Sequence, residues 1–285
     1  MAKHLIIGGT GTLGTALVGK LVAAGEEVAV FSRCELKQSQ MRQRFPDVRY
    51  ILGDIRDPRS INGSMRGVDT VFHVAALKHV EVGEENPVEF IKTNINGTIN
   101  VAEAALAAGV KQVVFSSTDK AVLSVNTYGM TKGISERYLL SLNRRYEGTK
   151  FAVYRWGNVA GSRGSVIHAF AKSLKDDKGV RITDPRMTRF WIHLDDAVDF
   201  MLETYRSAAP DRVMIPPMKA AKVVDLAAAL AGIMKVRNYS IAFSGLRAGE
   251  KIHEVLESNH EFCVRSDTAE QFTADELKTL LRRVI

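Results

Sequence analysis

Four side chains that can move protons lie within one short stretch of this sequence. An acid and an amine, Asp119 and Lys120, are followed by a phenol at Tyr128 and a second amine at Lys132. An ammonium held beside a phenol lowers the pKa of the phenol, which can then accept a proton from a hydroxyl group that loses a hydride. The adjacent acid and amine would add acid–base chemistry at a second carbon. The stretch therefore predicts oxidation of a hydroxyl group coupled to loss of water.

The predicted elements bring these groups to one site. Tyr128 and Lys132 are four residues apart at the start of a predicted helix over 128–146, so both lie on one helix face. Thr118 closely follows the fifth predicted strand, at the carboxyl edge where ligands bind to parallel sheets. We therefore favour catalysis for the acid–amine pair that follows it. An ion pair on the surface at the end of a strand is the alternative.

Strand and helix patterns alternate along the first half of the chain. Strands are predicted at 5–7, 28–31, 48–52, 70–73, 112–116 and 151–155, and helices at 13–24, 35–45, 87–108, 128–146 and 223–234. Apolar strands joined by helices are typical of a parallel sheet covered on both faces. We predict an α/β fold with a Rossmann-type, doubly wound parallel sheet over residues 1–155. A smaller C-terminal substrate-binding cap over 156–285 is expected to be partly interleaved with that first domain.

A glycine-rich turn follows the first predicted strand and opens the first helix. Its glycines, Gly8, Gly11 and Gly14, allow a tight turn, close approach of a pyrophosphate, and packing of the helix on the strand. Phosphates would bind at the helix N-terminus, where free N–H groups favour anions. A turn that merely connects two elements is the alternative. The pattern predicts contacts of a dinucleotide with Gly8, Thr10, Gly11, Thr12, Leu13 and Gly14.

The end of the second predicted strand indicates which dinucleotide binds. A site for NAD usually has a carboxylate there, whereas this chain has Ser32 and Arg33, which suit a 2′-phosphate. We predict NADP as the cofactor, and a solvated surface arginine is the alternative for Arg33. An Asx turn is a compatible interpretation of Asp54. Further contacts with the cofactor are predicted for Asp54, Ile55, Ala75, Ala76, Lys78, Tyr128 and Lys132.

Together, the glycine turn, Ser117-Thr118 and the pair Tyr128 and Lys132 make the chain similar to the extended short-chain dehydrogenase/reductase family. This similarity covers nearly all of the chain. Within that family the chain resembles the inverting UDP-N-acetylglucosamine 4,6-dehydratases (5-epimerising). Seven blocks in family order carry the narrower resemblance, at 32–38, 75–80, 117–121, 126–129, 161–166, 183–191 and 249–254.

The resemblance implies a mechanism and a set of catalytic residues. Tyr128 would take the proton of the C4 hydroxyl while a hydride passes to NADP, assisted by Thr118 and Lys132. Lys120 would remove the C5 proton, and Asp119 would help the C6 hydroxyl to leave as water. Hydride would then return to C6, and C5 would be reprotonated from the opposite face. Related retaining enzymes have Glu in place of Lys120, so this lysine indicates inversion at C5.

The resemblance also implies a UDP-sugar substrate held by the cap. Arginines suit its diphosphate because the guanidinium fork binds oxyanions through two hydrogen bonds. For each charged residue taken singly, a solvated surface charge is the alternative. The implied substrate contacts are Lys78, Asn158, Arg163, Met187, Thr188, Arg189, Glu250 and Lys251.

Composition excludes several other classes of protein. The 285 residues are 46% hydrophobic and 25% charged, as in an ordinary globular protein, and no apolar run reaches the length of a membrane span. The net charge of +7 suits an enzyme that binds two polyanions, and without a basic stripe we expect no nucleic acid. Two distant cysteines indicate neither disulfides nor zinc, and we expect no metal. No secretory signal is recognised, so we expect a cytoplasmic protein.

Assembly and function each leave alternatives open. As in the family, the helices predicted at 87–108 and 128–146 would pair with a second copy, giving a homodimer or a higher homo-oligomer. A nucleotide-sugar 4-epimerase or reductase of the same fold is the first alternative function. A non-catalytic, NADP-sensing binding protein is the second. Intact proton-transfer residues favour an enzyme.

Overall fold

A computed structural model describes residues 3–209 and 211–285. The strands are β1 (Lys3–Ile7), β2 (Glu27–Ser32), β3 (Arg49–Leu52), β4 (Thr70–His73), β5 (Gln112–Thr118), β6 (Lys150–Trp156), β7 (Asn158–Ala160), β8 (Val180–Ile182), β9 (Thr188–His193), β10 (Val213–Met214), β11 (Lys219–Lys222), β12 (Ile241–Phe243), β13 (Val255–Ser258) and β14 (Cys263–Arg265). The helices are α1 (Thr12–Ala23), α2 (Glu35–Arg44), α3 (Pro58–Asn62), α4 (Val80–Glu85), α5 (Pro87–Phe90), α6 (Gly97–Ala107), α7 (Thr127–Leu142), α8 (Val166–Lys175), α9 (Leu194–Thr204), α10 (Val223–Ile233) and α11 (Ala274–Arg282).

The main sheet has seven parallel strands in the order β10-β6-β5-β4-β1-β2-β3. This confirms the predicted Rossmann-type sheet. The strand order reverses beside β1, which lies between β2 and β4. In open α/β sheets, ligands bind at the carboxyl ends of the strands next to such a reversal. The turn after β1 and the segments after β4 and β5 therefore meet at the expected binding edge.

Both faces of the main sheet are covered by helices. Along β1, Leu5 and Ile7 pack in a core with residues of α6 and α7, such as Val101 and Leu139. Ile6, on the opposite face, packs in a second core with α1 and α9. Successive side chains of β1 point into two different apolar layers, so the strand needs consecutive hydrophobic residues, and Leu5, Ile6 and Ile7 meet this need. The sheet is thereby a rigid base for the side chains at its edge.

The second half of the chain builds a smaller layer and also returns to the main sheet. A mixed sheet of order β11-β9-β7 lies beside a third apolar core formed by α8, α10 and α11. In contrast, α9 and β10 pack on the main sheet and extend it. The division at residue 155 remains a prediction, and residues 1, 2 and 210 of the two predicted domains lie outside the described ones. None of the helices described is long and apolar enough to cross a membrane.

Two predicted helices differ from the observed ones. The helix predicted at 87–108 is divided by a π-helical turn, Ile91–Asn96, between α5 and α6. The helix predicted at 128–146 ends at Leu142, because the amide of Asn143 bonds the main chain of Phe151 in both directions, at 2.9 and 2.8 Å. A side chain that satisfies the backbone of a neighbouring strand offers an alternative to another helical turn.

Candidate active site

The glycine turn is packed so tightly that side chains are excluded. Gly8 has φ +84°, and a Cβ atom there would lie 2.7 Å from the main-chain nitrogen of Ala75. A Cβ atom on Gly14 would lie 2.5 Å from the carbonyl oxygen of Gly8. Both distances are far below any real carbon contact, so the first and third glycines are required by packing. The turn therefore brings the ends of β1 and β4 together, with Ala75 against Gly8.

The N-terminus of α1 has the properties of an anion site. Gly11 is the N-cap residue, and no side chain in the described part of the chain caps the helix there. The first turn has no acidic residue. Free N–H groups and the helix dipole favour a negatively charged group at such a position. Together with the excluded side chains, this arrangement fits the pyrophosphate of a dinucleotide.

Arg163 lies on the glycine turn. Its main-chain nitrogen donates to Oγ1 of Thr12 at 3.0 Å, and its guanidinium donates to the carbonyl oxygen of Thr10. Lys78 in turn donates from Nζ to the carbonyl oxygen of Arg163 at 3.0 Å. Burial, and then the charge of Arg163, lower the pKa of Lys78 below its ordinary value. Arg163, which was predicted to bind the substrate, thus contacts the loop predicted to bind the cofactor, and its substrate role stays a prediction.

The end of β2 offers a partly exposed cation. Arg33 lies 3.7 Å from Oδ2 of Asp54 through its guanidinium nitrogen NH1. Arg56 binds that carboxylate more closely, at 2.7 and 2.9 Å. Burial raises the pKa of Asp54, but the hydrogen bonds from Arg56 outweigh this and lower it overall. The guanidinium of Arg33 is consequently only loosely paired and about half exposed.

Two other residues predicted to contact the cofactor are less accessible. Ser32 is buried, and its hydroxyl accepts a hydrogen bond of 3.0 Å from Nε2 of Gln38. Ile55 is 4% exposed and packs against Gly97, where a Cβ atom would lie 2.7 Å from its Cδ1. Through its side chain Ile55 therefore belongs to the core, and its main chain is what remains near the edge of the sheet.

A buried acid and an amine follow β5 directly. Oδ1 of Asp119 accepts hydrogen bonds from Oγ1 of Thr118 at 3.0 Å and from Nζ of Lys120 at 3.1 Å. Burial raises the pKa of the Asp119 carboxyl above its ordinary value. Its second oxygen, Oδ2, is buried and has no hydrogen-bond partner among the described residues. The predicted pair therefore exists, at the predicted edge and inside the protein.

Lys120 is held between two carboxylates. Nζ lies 3.1 Å from Oδ1 of Asp119 and 3.3 Å from Oε1 of Glu254, with the amide oxygen of Asn158 at 3.4 Å. Burial lowers the pKa of this lysine, but the two carboxylates overcome that effect and raise the pKa above its ordinary value. Lys120 is thus an ammonium at neutral pH, and it needs to lose a proton before it can act as a base.

Tyr128 lies beside Thr118 and Lys120 at the start of α7. Burial raises the pKa of its phenol to about 12, although the charge of Lys120 and the hydroxyl of Thr118 act in the opposite direction. Asn126 caps the helix by accepting from the main-chain nitrogen of Gly129 at 2.8 Å. This cap fixes the turn from which the phenol projects.

Lys132 lies against an aromatic ring one helical turn after Tyr128. It is buried, and Nζ lies 3.7 Å from the ring centroid of Phe115. Burial lowers the pKa of Lys132 to about 7, while the charge of Glu136 acts in the opposite direction. The charge of Lys120 acts against burial on the pKa of the Tyr128 phenol, which is nevertheless raised overall. Tyr128 and Lys132 are four residues apart on α7, as predicted. The amine of Lys132 is attracted by the ring of Phe115, which lies below the helix.

A cavity of ≈ 320 Å³ lies between these groups and the cap. Its lining residues include Lys120, Asn158, Arg189, Glu250 and Glu254. On the other side it is bounded by the start of α4 and by a cap loop. These two walls are linked by an ion pair between Arg247 and Glu81. The volume is in the range of small-molecule sites.

Predicted substrate contacts from the cap divide into accessible and inaccessible ones. Met187 and Thr188 are each 3% exposed, and Thr188 is hydrogen-bonded to Ser266 at 2.6 Å. Both side chains lie inside the cap, so a substrate contact of Met187 or Thr188, which stays a prediction, would have to come from the main chain. Arg189 reaches the cavity wall, but its guanidinium donates to carbonyl oxygens of Thr188, Lys251 and Ile252. Arg189 therefore holds the main chain of the cavity wall in place, and these carbonyl oxygens already occupy its guanidinium.

Two buried residues escaped the sequence reasoning. Asn94, in the π-helical turn, binds Leu77 through both main-chain groups at 2.9 Å and Thr131 at 3.0 Å, so it ties the segment after β4 to α7. A lone asparagine gave no signal for this role. Glu254 belongs to the block 249–254 that carries the family resemblance, but no site role was predicted for it. In the described residues, no group of three or more His, Cys, Asp or Glu is placed to hold a metal ion.

Known proteins share this architecture over nearly the whole chain. The chain is 43% identical to a UDP-N-acetylglucosamine 4,6-dehydratase (inverting) of Campylobacter jejuni subsp. jejuni serotype O:2, over 264 residues that cover 90% of this chain and 78% of the relative. It is 40% identical to a UDP-glucose 4-epimerase of Rickettsia bellii, over 92% of this chain and 80% of the relative. The crystal structure of Pen from Bacillus thuringiensis superposes with a TM-score of 0.94 at 34% identity, covering 99% and 97% of the two chains.

The sequence profile of one family agrees with these similarities. It is described as "Polysaccharide biosynthesis protein" and matches residues 4–276. The matched region contains the glycine turn, the acid–amine pair, Tyr128 and the cap. The chain therefore belongs to this polysaccharide biosynthesis family, a branch of the extended short-chain dehydrogenases/reductases.

Proposed function

We propose that the protein is an NADP-dependent nucleotide-sugar 4,6-dehydratase, a hydro-lyase. Its reaction would convert UDP-N-acetylglucosamine to a UDP-4-keto-6-deoxy-hexose with inversion at C5. One observation carries the proposal: the buried pair of Asp119 and Lys120 lies beside Tyr128 at the sheet edge, and Lys120 lines the cavity. Besides the hydride acceptor, oxidation at one carbon needs only the phenol, which accepts the hydroxyl proton. An additional acid and base next to it supply what elimination of water requires.

The phenol and its neighbours would handle the oxidation step. When bound, the nicotinamide supplies a hydride acceptor for C4 and a donor for C6. Tyr128 would accept the proton of the C4 hydroxyl, with the Thr118 hydroxyl and the Lys120 charge stabilising the phenolate. Lys132 would contact the cofactor ribose from its position above Phe115. No net redox change results.

Proton exchange within the acid–amine pair would prepare the elimination. Lys120 donates to Asp119 across 3.1 Å. Transfer of that proton breaks an N–H bond, forms an O–H bond and leaves a neutral amine beside a neutral carboxylic acid. Net charge does not change, and burial already favours the neutral form of Asp119. The amine can then remove the C5 proton, while the acid protonates the departing C6 hydroxyl.

An NMR time course in deuterated water tests the proposal. With UDP-N-acetylglucosamine, we expect a 4-keto-6-deoxy product with deuterium at C5 and an inverted C5 configuration. Lys120→Ala should abolish both elimination and C5 exchange. Lys92→Ala, which removes an exposed lysine paired with Glu89, serves as the control and should retain turnover. Unchanged C5 inversion in Lys120→Ala would refute the assignment of the base.

A 4-epimerase is the second candidate, since Rickettsia relatives with that name are up to 40% identical. An epimerase returns the hydride to C4, so the same time course would show a C4 epimer and no loss of water. A non-catalytic NADP-binding protein would bind NADPH firmly and turn over none of the UDP-hexoses offered. The buried acid and amine beside the phenol favour the dehydratase over both alternatives.

The choice of NADP over NAD is also part of the proposal. Arg33 supports it, because its guanidinium is loosely paired and about half exposed at the end of β2. The nearby Asp54 is neutralised by Arg56, which reduces its repulsion of a phosphate. We expect Arg33→Ala to weaken NADPH binding while leaving NADH binding nearly unchanged. Arg59→Ala is the control, since that side chain is 93% exposed. Tighter binding of NADH than NADPH by the unaltered protein would contradict the proposal.

We propose that copies of the chain associate through the helices around the site. Apolar side chains on α5, the π-helical turn and α7 remain exposed in the single chain. They are Val88, Ile91, Met130 and Ile134. α5, the π-helical turn and α7 contact one another, and exposed apolar side chains on contacting helices are typical of a protein interface. A homodimer, or a higher homo-oligomer that contains it, would bury this face.

A further inference from the structure

Glu254 is a carboxylate that the fold buries against the reacting groups. It directly precedes β13, and its main chain is fixed by Ser266, with the Glu254 nitrogen donating to Oγ at 2.9 Å and the Ser266 nitrogen donating to the Glu254 oxygen at 2.9 Å. The residue is 2% exposed and lines the cavity. A buried carboxylate destabilises the folded protein unless it is paired with cations, so the groups that surround it indicate its role.

Three cations surround this carboxylate. Oε1 lies 3.3 Å from Nζ of Lys120 and 3.8 Å from Nε of Arg189, and Oε2 lies 3.6 Å from Nζ of Lys251. Burial raises the pKa of Glu254, but the three cations together lower it below its ordinary value. Glu254 is therefore charged at neutral pH.

Two of the three cations are held by other groups as well. Arg189 donates to main-chain carbonyl oxygens, and Lys251 donates to the carbonyl oxygen of Val122 at 2.7 Å. Lys120 differs from them, because its other charged partner is Asp119. The ammonium thus lies between one carboxylate in the turn after β5 and one from the cap.

We propose that Glu254 is a positioning residue for the acid–amine pair: it holds the Lys120 ammonium at the cavity wall and controls how readily that proton passes to Asp119. The effect of Glu254 on catalysis rests on the proposed dehydratase function, in which Lys120 acts as the base. The physical claim about Lys120 can be tested without any substrate.

The surroundings of Lys120 give the sign of the effect. The charged groups that face it are Asp119, Glu254 and Arg189, with the phenol of Tyr128 nearby and Lys251 beyond Glu254. Glu254 favours the ammonium, whereas Arg189 opposes it. Without the Glu254 charge, no carboxylate at this position would offset the positive charges of Arg189 and Lys251. Their repulsion would make Lys120 release its proton at lower pH.

An NMR titration of lysine side chains labelled at Cε measures this directly. In the unaltered protein, the Lys120 resonance, identified by its loss in Lys120→Met, should stay at its protonated position to the highest pH at which the protein is folded. In Glu254→Gln we expect the midpoint to fall by about 1–3 pH units, the usual effect of a nearby charge. Glu250→Gln makes the same chemical change on the same cavity wall and should leave the titration unchanged.

A second variant keeps the test valid if the amide form does not fold. Glu254→Asp retains the charge and withdraws it from the lysine, so a smaller fall of the same sign is expected. A Lys120 titration unaltered by both substitutions would overturn the proposal.

The kinetic readout separates positioning from a purely structural role. If neutral Lys120 is the base, the acidic limb of the kcat profile should move to lower pH in Glu254→Gln. An equal loss of kcat at every pH, without a shift, would show that Glu254 only maintains the fold, and would also overturn the proposal. Absence of dehydration by the unaltered protein would sink the proposed function, while the titration would still decide the role of Glu254.

Discussion

Arg163 from the cap binds Thr12 at the start of α1, through a main-chain hydrogen bond of 3.0 Å and a guanidinium contact of 3.4 Å. The first helical residue after the glycine turn is thereby joined to a loop that lies far away in the sequence. The guanidinium contacts the glycine turn beside the N-terminus of α1, which no side chain of the described residues caps and where the pyrophosphate of a dinucleotide is expected. A charged fork at that position can bind phosphate oxygens directly.

Replacing Arg163 should therefore weaken dinucleotide binding. A hydrogen bond to a charged group contributes about 1.5–3 kcal/mol, and since this residue is largely exposed we expect the lower end, roughly a tenfold rise in Kd for Arg163→Ala. Titration calorimetry with NADPH and, separately, with UDP provides the measurement. Arg181→Ala, on the exposed face of β8, is the control. Loss of UDP binding with unchanged NADPH binding would instead support the substrate role predicted from the sequence.

The buried ammonium of Lys132 should lower the free energy of unfolding at neutral and acidic pH. Its pKa of about 7 lies below the ordinary value of 10.5, so the folded protein binds this proton less tightly than the unfolded chain. Its contribution to stability is present above pH 10.5 and is lost as pH falls through 7. Each unit of pKa shift corresponds to about 1.4 kcal/mol, and contact with Phe115 offsets part of the cost.

We expect Lys132→Met to raise the free energy of unfolding near pH 6 by roughly 1–3 kcal/mol, because one desolvated charge disappears. Activity with UDP-N-acetylglucosamine should be lost. Urea unfolding at pH 6 and at pH 9 checks the first point, and the gain should be smaller at pH 9. Lys111→Met, at an exposed surface pair, is the comparison. A destabilised Lys132→Met protein at pH 6 would show that the cation–ring contact outweighs desolvation.

The sequence was sufficient for features that depend on local pattern. Strand periodicity located the six strands of the main sheet that precede residue 157, and the spacing of Gly8, Gly11 and Gly14 placed the turn between β1 and α1. These features follow from backbone geometry, where a side chain is either tolerated or excluded. The two-residue strand β10 is too short to show a pattern, so its place at the edge of the sheet could not be foreseen.

Features that depend on distant segments were not accessible in the same way. Glu254 reaches Lys120 only because β13 and the turn after β5 pack together, and nothing in the spacing of the two residues indicates this. The ring of Phe115 likewise decides the position of Lys132, although the helical spacing with Tyr128 is met. Spacing defines which helix face a residue occupies. The charge or ring that receives it is set by tertiary contacts.

His73 should make the protein less stable in mild acid. It is buried at the end of β4, with Nε2 3.0 Å from Oγ1 of Thr98, and burial together with Lys132 lowers its pKa from 6.5 to about 3. Between these values the unfolded chain binds the proton and the folded protein does not. Its contribution to stability is fully present above pH 6.5 and is lost as pH falls toward 3.

This group alone should lower the free energy of unfolding by up to about 1.4 kcal/mol per pH unit below pH 6. We expect His73→Asn to flatten the pH dependence of urea unfolding between pH 6 and 4, whatever its effect at pH 8. His260→Asn, at an exposed site, should leave the slope unchanged. An identical slope in the His73 variant would mean that the buried ring is protonated in the folded protein.

The exposed apolar face around α7 should control assembly. Ile134 is 52% exposed on α7, and Val88 is 58% exposed on the contacting α5. A carboxylate at the centre of such a face would be desolvated without a partner if two copies met there. We expect Ile134→Glu to convert the assembled protein to monomers in light scattering at micromolar concentration, with the fold retained by circular dichroism. Leu36→Glu, at a side chain 67% exposed on α2, should leave the assembly intact. Assembly retained in Ile134→Glu would place the interface on another face.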